Sequence, residues 1–209
     1  MTPVPFSTRR IAVLISGRGS NLQSIIDAVS ERRLDATIAA VISNHADAPG
    51  LARAREAGLD VLSVSAGDFA DRDAYDTALV KLLRARGVEL VCLAGFMRLV
   101  GRPLLEAFPH RILNIHPSLL PSFPGLDGQR QALEYGVRIT GATVHFVTPE
   151  LDGGPIVAQA SVPVLDGDTV ETLSARILVE EHRIYPEAIR FVLDGGWTVD
   201  GRRVIRAGV

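Results

Sequence analysis

The stretch Ile11-Ala12-Val13-Leu14-Ile15-Ser16-Gly17-Arg18-Gly19-Ser20-Asn21-Leu22 decides the fold. Its first half is an unbroken apolar run rich in β-branched residues, as a strand buried on both faces requires. A glycine-containing turn follows, then a helical pattern over 22–29 with apolar positions at 22, 25, 26 and 29. A second strand is read at 37–42, which completes a β-α-β unit.

The alternation continues outward from there. Helix 51–57 closes at Gly58, strand 61–64 follows, helix 75–86 closes at Gly87, and strand 90–94 comes next. After Ile112-Leu113-Asn114-Ile115 the texture changes to Pro117, Pro121, Pro124 and Gly125, too proline-rich for a helix or an inner strand. Beyond this ordered loop lie a short helix at 130–135, strands at 143–147 and 156–164, and a long helix from Thr169 to about Leu193. The expected architecture is α/β: a doubly wound, mostly parallel sheet with helices on both faces. Its C-terminal part is an excursion of the same sheet, and no linker or repeat divides the 209 residues.

Composition narrows the function. With 47% hydrophobic and 22% charged residues the chain has material for a large core. Its net charge of −2 gives no general footprint for nucleic acid, so an anion must be held by a local site. Cys92 is the only cysteine and lies in an apolar run, where it reads as a buried thiol; the five histidines show no metal-binding spacing, so no metal is expected. The first ten residues hold two prolines and no apolar signal core, and no run of eighteen apolar residues occurs. The expectation is a soluble, cytoplasmic protein without membrane partners.

Two sites stand out. In the turn over residues 16–21, backbone N–H groups and a helix N-terminus face the crevice, a geometry that suits a phosphate. Ser20 or Asn21 would cap the helix or bond a phosphate oxygen directly. A dinucleotide loop would need a third glycine where Leu22 stands and an acidic residue where Asn44 stands, so no NAD is expected; a triphosphate loop would need a lysine that is absent. A phosphate monoester remains, although the same residues would also serve as a tight turn and helix cap without a ligand.

The second site is Asn114 with His116. Two apart in an extended segment, they project from one face, and an amide donor beside an imidazole suits an oxyanion that forms at a carbonyl carbon. Asp152, in the turn Leu151-Asp152-Gly153-Gly154-Pro155, would orient the histidine if it reaches it; alone it is equally an ordinary turn residue. Contact with Asp152 would favour the imidazolium and raise the His116 pKa above ~6.5. Ser118 lacks the strained elbow of a serine nucleophile.

The segments at 15–22, 93–98 (Leu-Ala-Gly-Phe-Met-Arg), 114–121 (Asn-Ile-His-Pro-Ser-Leu-Leu-Pro), 144–147 (Val-His-Phe-Val) and 151–155, in this order and at these spacings, resemble the phosphoribosylglycinamide formyltransferase family across nearly the whole chain. The resemblance implies one formyltransferase domain over 1–209. It would transfer formyl from 10-formyltetrahydrofolate to the amine of glycinamide ribonucleotide by direct attack through an oxyanionic tetrahedral intermediate. It implies Asn114, His116 and Asp152 as catalytic residues, and Gly19, Ser20, Asn21 and Glu181 as the substrate site. The folate pocket would be lined by Arg72, Met97, Arg98, Leu99, Val100, Asn114, Thr148, Pro149, Glu150, Leu151 and Asp152. The expected partners are these two small molecules, and the chain would be a monomer or homodimer. One departure is Asp127 and Gln129 where the family usually has histidines.

Three alternatives compete. Water as acceptor would make the chain a formyl-folate hydrolase, which in related proteins follows an extra N-terminal domain, whereas strand one here begins by Arg10. A tRNA acceptor would call for a C-terminal RNA-binding domain, and only a tail of about fifteen residues follows the last expected helix. A nucleotide- or folate-binding protein without turnover is the third.

Overall fold

The computed structural model describes residues 6–206. The strands, all in one sheet, are β1 (Arg10–Ile15), β2 (Thr37–Ser43), β3 (Val61–Ser63), β4 (Leu90–Leu93), β5 (Ile112–His116), β6 (Ile139–Phe146), β7 (Ile156–Pro163), β8 (Trp197–Asp200) and β9 (Arg203–Arg206), in the order β3-β2-β1-β4-β5-β6-β7-β9-β8. The helices are α1 (Ser20–Ser30), α2 (Pro49–Glu56), α3 (Arg72–Ala85), α4 (Arg102–Ala107), α5 (Gly128–Tyr135) and α6 (Val170–Asp194).

β3 through β5 pair in parallel, as the apolar runs require. The side-chain period of two explains those runs. Ile11, Val13 and Ile15 join a core with α1, α2 and α6, while Ala12 and Leu14 join a second core with α3 and α4. β6 and β7 reverse direction, and the β8–β9 hairpin adds to β7 through β9. A short helix and a C-terminal hairpin lie outside the sequence expectation. α4 is only six residues long, too short for a helical period to register, and the β8–β9 hairpin falls in the segment read as a tail.

From β1 the chain moves outward through β2 and β3, then returns to place β4 on the other side of β1. This reversal opens a crevice at the carboxyl ends of β1 and β4, the usual ligand position in such sheets. Tyr185 of α6 closes the crevice floor by donating to the backbone carbonyls of Leu93 (2.9 Å) and Leu113 (3.2 Å), with its hydroxyl fully buried. One turn earlier on the same helix face, Glu181 therefore points toward α1.

Candidate active site

The turn after β1 is built from backbone. Gly19 takes the N-cap position of α1 in the left-handed region (φ 71°), and no side chain caps the helix. The expected Ser20 or Asn21 cap is thus corrected: both lie inside the first turn. A Cβ on Gly19 would come within 2.7 Å of the Gly50 Cα, because the turn lies directly on the start of α2, where the Gly50 N–H donates to the Gly17 carbonyl at 3.0 Å. The freed N–H groups of α1 are available to an anion.

Asn21 turns inward and donates to Glu181 (2.7 Å), both residues being buried. Burial pushes the Glu181 carboxyl pKa up, against the Asn21 bond. The Asn21 Oδ1 has no partner. The Asn21–Glu181 bond sets Glu181 of α6 against the start of α1, where Gly19, Ser20 and Asn21 lie. Ser16 ties the crevice together: its Oγ donates to Asn44 Oδ1 (2.6 Å) and accepts from the Met97 N–H (2.8 Å).

The second site is built from side chains. Asn114 and His116 share one face of β5, since Leu113 and Ile115 between and beside them point into the opposite core. Asp152, at φ 49° in the turn after β6, reaches across. Its Oδ2 accepts from the Gly125 N–H (2.8 Å) and lies 3.5 Å from His116 Nδ1, and its Oδ1 lies 3.6 Å from His145 Nε2. His145 lies 3.2 Å from the Asn114 amide nitrogen. The structure therefore brings Asn114, His116 and Asp152 together and adds His145 as the link between Asn114 and Asp152.

Backbone partners fix the tautomers. The Phe123 carbonyl (2.8 Å from His116 Nε2) and the Phe146 carbonyl (2.9 Å from His145 Nδ1) can only accept, so each of those nitrogens carries the proton. In neutral His145 the remaining Nε2 accepts from Asn114. In neutral His116 the Nδ1 lone pair faces Asp152, an arrangement that binds one further proton between them.

The expected rise of the His116 pKa is overturned. Burial lowers it below 6.5, the Phe123 carbonyl and Asp152 oppose that, and His145 adds to it. The contact with Asp152 exists, but desolvation of the imidazolium outweighs one carboxylate shared by two rings. The Asp152 pKa is lowered despite burial, through His145, the Gly125 N–H and His116. Among the described residues no three His, Cys, Asp or Glu side chains are arranged to hold a metal ion.

Of the residues assigned to the folate pocket, Asn114 and Asp152 belong to this cluster, and Thr148, Pro149, Glu150 and Leu151 directly precede Asp152 in the chain. Met97 and Leu99 are largely exposed, at 66% and 59%. Arg98 lies over the Tyr75 ring at 4.9 Å with its Nε buried and unpartnered. Arg72, Val100 and Pro149 line one open groove of about 570 Å³, and Leu151 is exposed at its own turn. In the turn over 148–152 the Thr148 hydroxyl donates to the Glu150 carbonyl. Asp127 is exposed, at φ 57° before α5.

His145 is the residue that sequence reasoning passed over. Its signal was a polar residue two positions from Thr143 in an otherwise apolar strand, which puts both on one face.

The chain is similar to known proteins along most of its length. Residues 9–189 match the formyl transferase family. The phosphoribosylglycinamide formyltransferase of Escherichia coli (strain K12) is 50% identical over 185 residues, covering 88% of this chain and 87% of its own. The trifunctional purine biosynthetic protein adenosine-3 of Bos taurus is 47% identical over 89% of this chain, which corresponds to 18% of that longer protein. The crystal structure of glycinamide ribonucleotide transformylase 1 from Symbiobacterium toebii superimposes with a TM-score of 0.94 at 60% identity, over 96% of this chain and 94% of that one. An uncapped helix N-terminus beside an Asn-His-Asp cluster, on a scaffold shared this closely, leaves one assignment: the chain belongs to the formyl transferase family, among the phosphoribosylglycinamide formyltransferases.

Proposed function

We propose that the chain transfers the formyl group of 10-formyltetrahydrofolate to the amine of glycinamide ribonucleotide, with Asn114, His116 and Asp152 as its catalytic residues. The observation that carries this reading is the convergence of Asp152 on His116 and on the His145–Asn114 pair, beside an anion-ready helix end. The amides of Gly19, Ser20 and Asn21 hold the substrate phosphate, and Glu181 with Asn21 holds its polar body. The folate lies along residues 97–100 and the turn over 148–152.

Two reactants held side by side need no covalent enzyme intermediate, because proximity supplies much of the rate. The amine nitrogen bonds to the formyl carbon, whose oxygen becomes an oxyanion. The second N–H of Asn114 and the Nε2–H of His116 donate to that oxygen; one such donor is worth roughly 10²–10³ in rate. The oxyanion takes the place that the Phe123 carbonyl fills against His116. The amine proton passes to the Asp152–His116 pair, which has room for one, and then to the folate nitrogen as the carbon–nitrogen bond to folate breaks. A neutral His116 suits this role better than a permanent imidazolium would, since it is ready to accept.

The test is to mix the protein with 10-formyltetrahydrofolate and follow formyl loss with and without glycinamide ribonucleotide. Loss only in the presence of the ribonucleotide is expected; equal loss without it would make water the acceptor.

A further inference from the structure

Asp76 is a charge in the wrong place for a helix of this kind. On α3 the inward stripe is Tyr75, Leu79, Val80 and Leu83, and Asp76 sits among them at 2% exposure. A buried carboxylate is costly unless something accepts the role of partner. A helix cap does not explain it, since the α3 N-cap is Asp71, whose side chain accepts from the Ala74 N–H; burial pushes the Asp76 carboxyl pKa up, while the Gly101 N–H and the nearby guanidinium groups of Arg72 and Arg98 favour its charge. The hydrogen bond that Asp76 makes instead goes to another segment. Its Oδ2 accepts from the Gly101 N–H at 2.5 Å.

Gly101 ends the loop that follows β4. The beginning of that loop is held by Ser16, which donates its N–H to the Gly95 carbonyl (3.1 Å) and accepts the Met97 N–H. Residues 97–100 are thus strung between two polar anchors, Ser16 at one end and Asp76 at the other. Between the anchors Met97 and Leu99 face outward, and Arg98 is laid over the ring of Tyr75, the residue next to Asp76. The fit at the Asp76 end is close. A Cβ on Gly101 would lie 2.7 Å from Asp76 Oδ2, 3.1 Å from Asp73 Oδ1 and 3.4 Å from Arg72 Cγ.

We infer that Asp76 is a positioning residue for the folate strip, fixing residues 97–100 through the Gly101 N–H without touching either reactant. The inference rests on the reading of residues 97–100 as folate contacts. A backbone anchor of this kind acts on binding rather than on the bond-making step, so its loss changes the KM for 10-formyltetrahydrofolate and leaves kcat and the KM for glycinamide ribonucleotide in place. The needed group is an acceptor for one N–H, which an asparagine oxygen also supplies.

The experiment compares Asp76→Ala, Asp76→Asn, Gly101→Ala and Leu99→Asp in the full chain, with both KM values, kcat and Tm measured for each. Asp76→Ala is expected to raise the folate KM tenfold or more with kcat within about threefold. Asp76→Asn is expected to restore the folate KM to within about threefold of the parent. Gly101→Ala, which disturbs the same contact from the loop side, is expected to reproduce the Asp76→Ala pattern and serves in its place should that variant fail to fold. A lower Tm with an unchanged folate KM in Asp76→Ala and Gly101→Ala would overturn the proposal, reducing Asp76 to a fold residue. So would an Asp76→Asn variant as impaired as Asp76→Ala. Leu99→Asp separates the two layers: if it leaves the folate KM unchanged, the folate reading of the strip fails and the proposal falls with it. If it raises that KM while the Asp76 and Gly101 variants do not, the strip stands and the anchor alone fails.

Discussion

The turn over residues 16–21 and the cluster of Asn114, His116, His145 and Asp152 lie at the same end of the sheet but are made of different material. The turn offers backbone N–H groups, released because Gly19 replaces a side-chain cap and because the turn rests on Gly50 without an intervening Cβ. The cluster offers side chains, each held by a backbone partner: Phe123 for His116, Phe146 for His145 and Gly125 for Asp152. A site made of backbone tolerates the loss of side-chain atoms and is damaged by added ones. A site made of side chains behaves in the opposite way. The first suits a group that only has to be held, the second a group whose charge changes during reaction.

The largest effect should come from removing charge in the cluster. Asp152→Asn keeps size and shape but not the second proton-binding partner of His116, and kcat is expected to fall by a factor on the order of 10²–10⁴ with small changes in either KM. Steady-state kinetics decide this, and a variant with near-parent kcat would move the proton-handling role away from Asp152.

Adding one carbon to the turn should come next. Gly19→Ala places a side chain in the left-handed region and against Gly50, at a cost of about 2 kcal/mol or more. For a domain of this size that is a Tm fall of roughly 4–8 °C, accompanied by weaker binding of glycinamide ribonucleotide. A variant with unchanged Tm would show that the turn is not packed on α2 as described.

Removing an atom from the same turn should do less. Ser20→Ala keeps the backbone amide and removes only the hydroxyl's own bond to the phosphate, so glycinamide ribonucleotide binding is expected to weaken by roughly threefold to tenfold, the scale of one hydrogen bond. Asn21→Ala should do the same with an added loss of stability, because it strands buried Glu181. Isothermal titration with each reactant checks both. Unchanged ribonucleotide binding with lost folate affinity would reverse the two site assignments.

The cluster should also report its burial through pH. The folded His116 pKa lies below 6.5, so on acidification the unfolded chain takes up this proton first. The stability associated with neutral His116 is full above about 6.5, the unperturbed value, and declines as pH falls through it toward the folded pKa. His110 and His182, also lowered by burial, contribute in the same direction. Between pH 7.5 and 5.5, Tm should therefore fall more for the parent than for His116→Asn. An equal fall would mean that His116 titrates alike in both states.

The smallest effect is expected at the family departure. Asp127 is exposed and has φ 57°, a region that asparagine, aspartate and histidine enter more readily than other side chains. Asp127→His should change stability by less than about 0.5 kcal/mol, measured by chemical denaturation; a larger loss would show that this loop is packed around the carboxylate.

The contrast between the two regions also explains what the sequence disclosed. The parallel half was legible because β1, β2 and β4 are buried on both faces and read as continuous apolar runs between helical periods. The sequence pattern marks β6 only from Thr143, whereas the strand starts at Ile139, because Ile139-Thr140-Gly141-Ala142 carries no alternation that marks a strand. The β8–β9 hairpin is held by Trp197, which packs on Phe146 with ring centroids 5.0 Å apart and donates to the Val192 carbonyl. That tertiary contact has no local signature. At the site, glycines and motif spacing pointed to the turn and to Asn114, His116 and Asp152. The role of His145 depends on the register that sets it opposite Asn114, and the His116 pKa depends on burial, and neither is written in local sequence.

The central claim is that Asp152 acts on the reaction through His116, and a ring-resolved NMR titration of His116 in the parent and in Asp152→Asn tests it most directly. The account predicts a parent pKa below 6.5 and a lower one still in the variant, because burial remains while the opposing carboxylate charge is gone. Identical titration curves in the two proteins would contradict it and return Asp152 to the role of a turn residue.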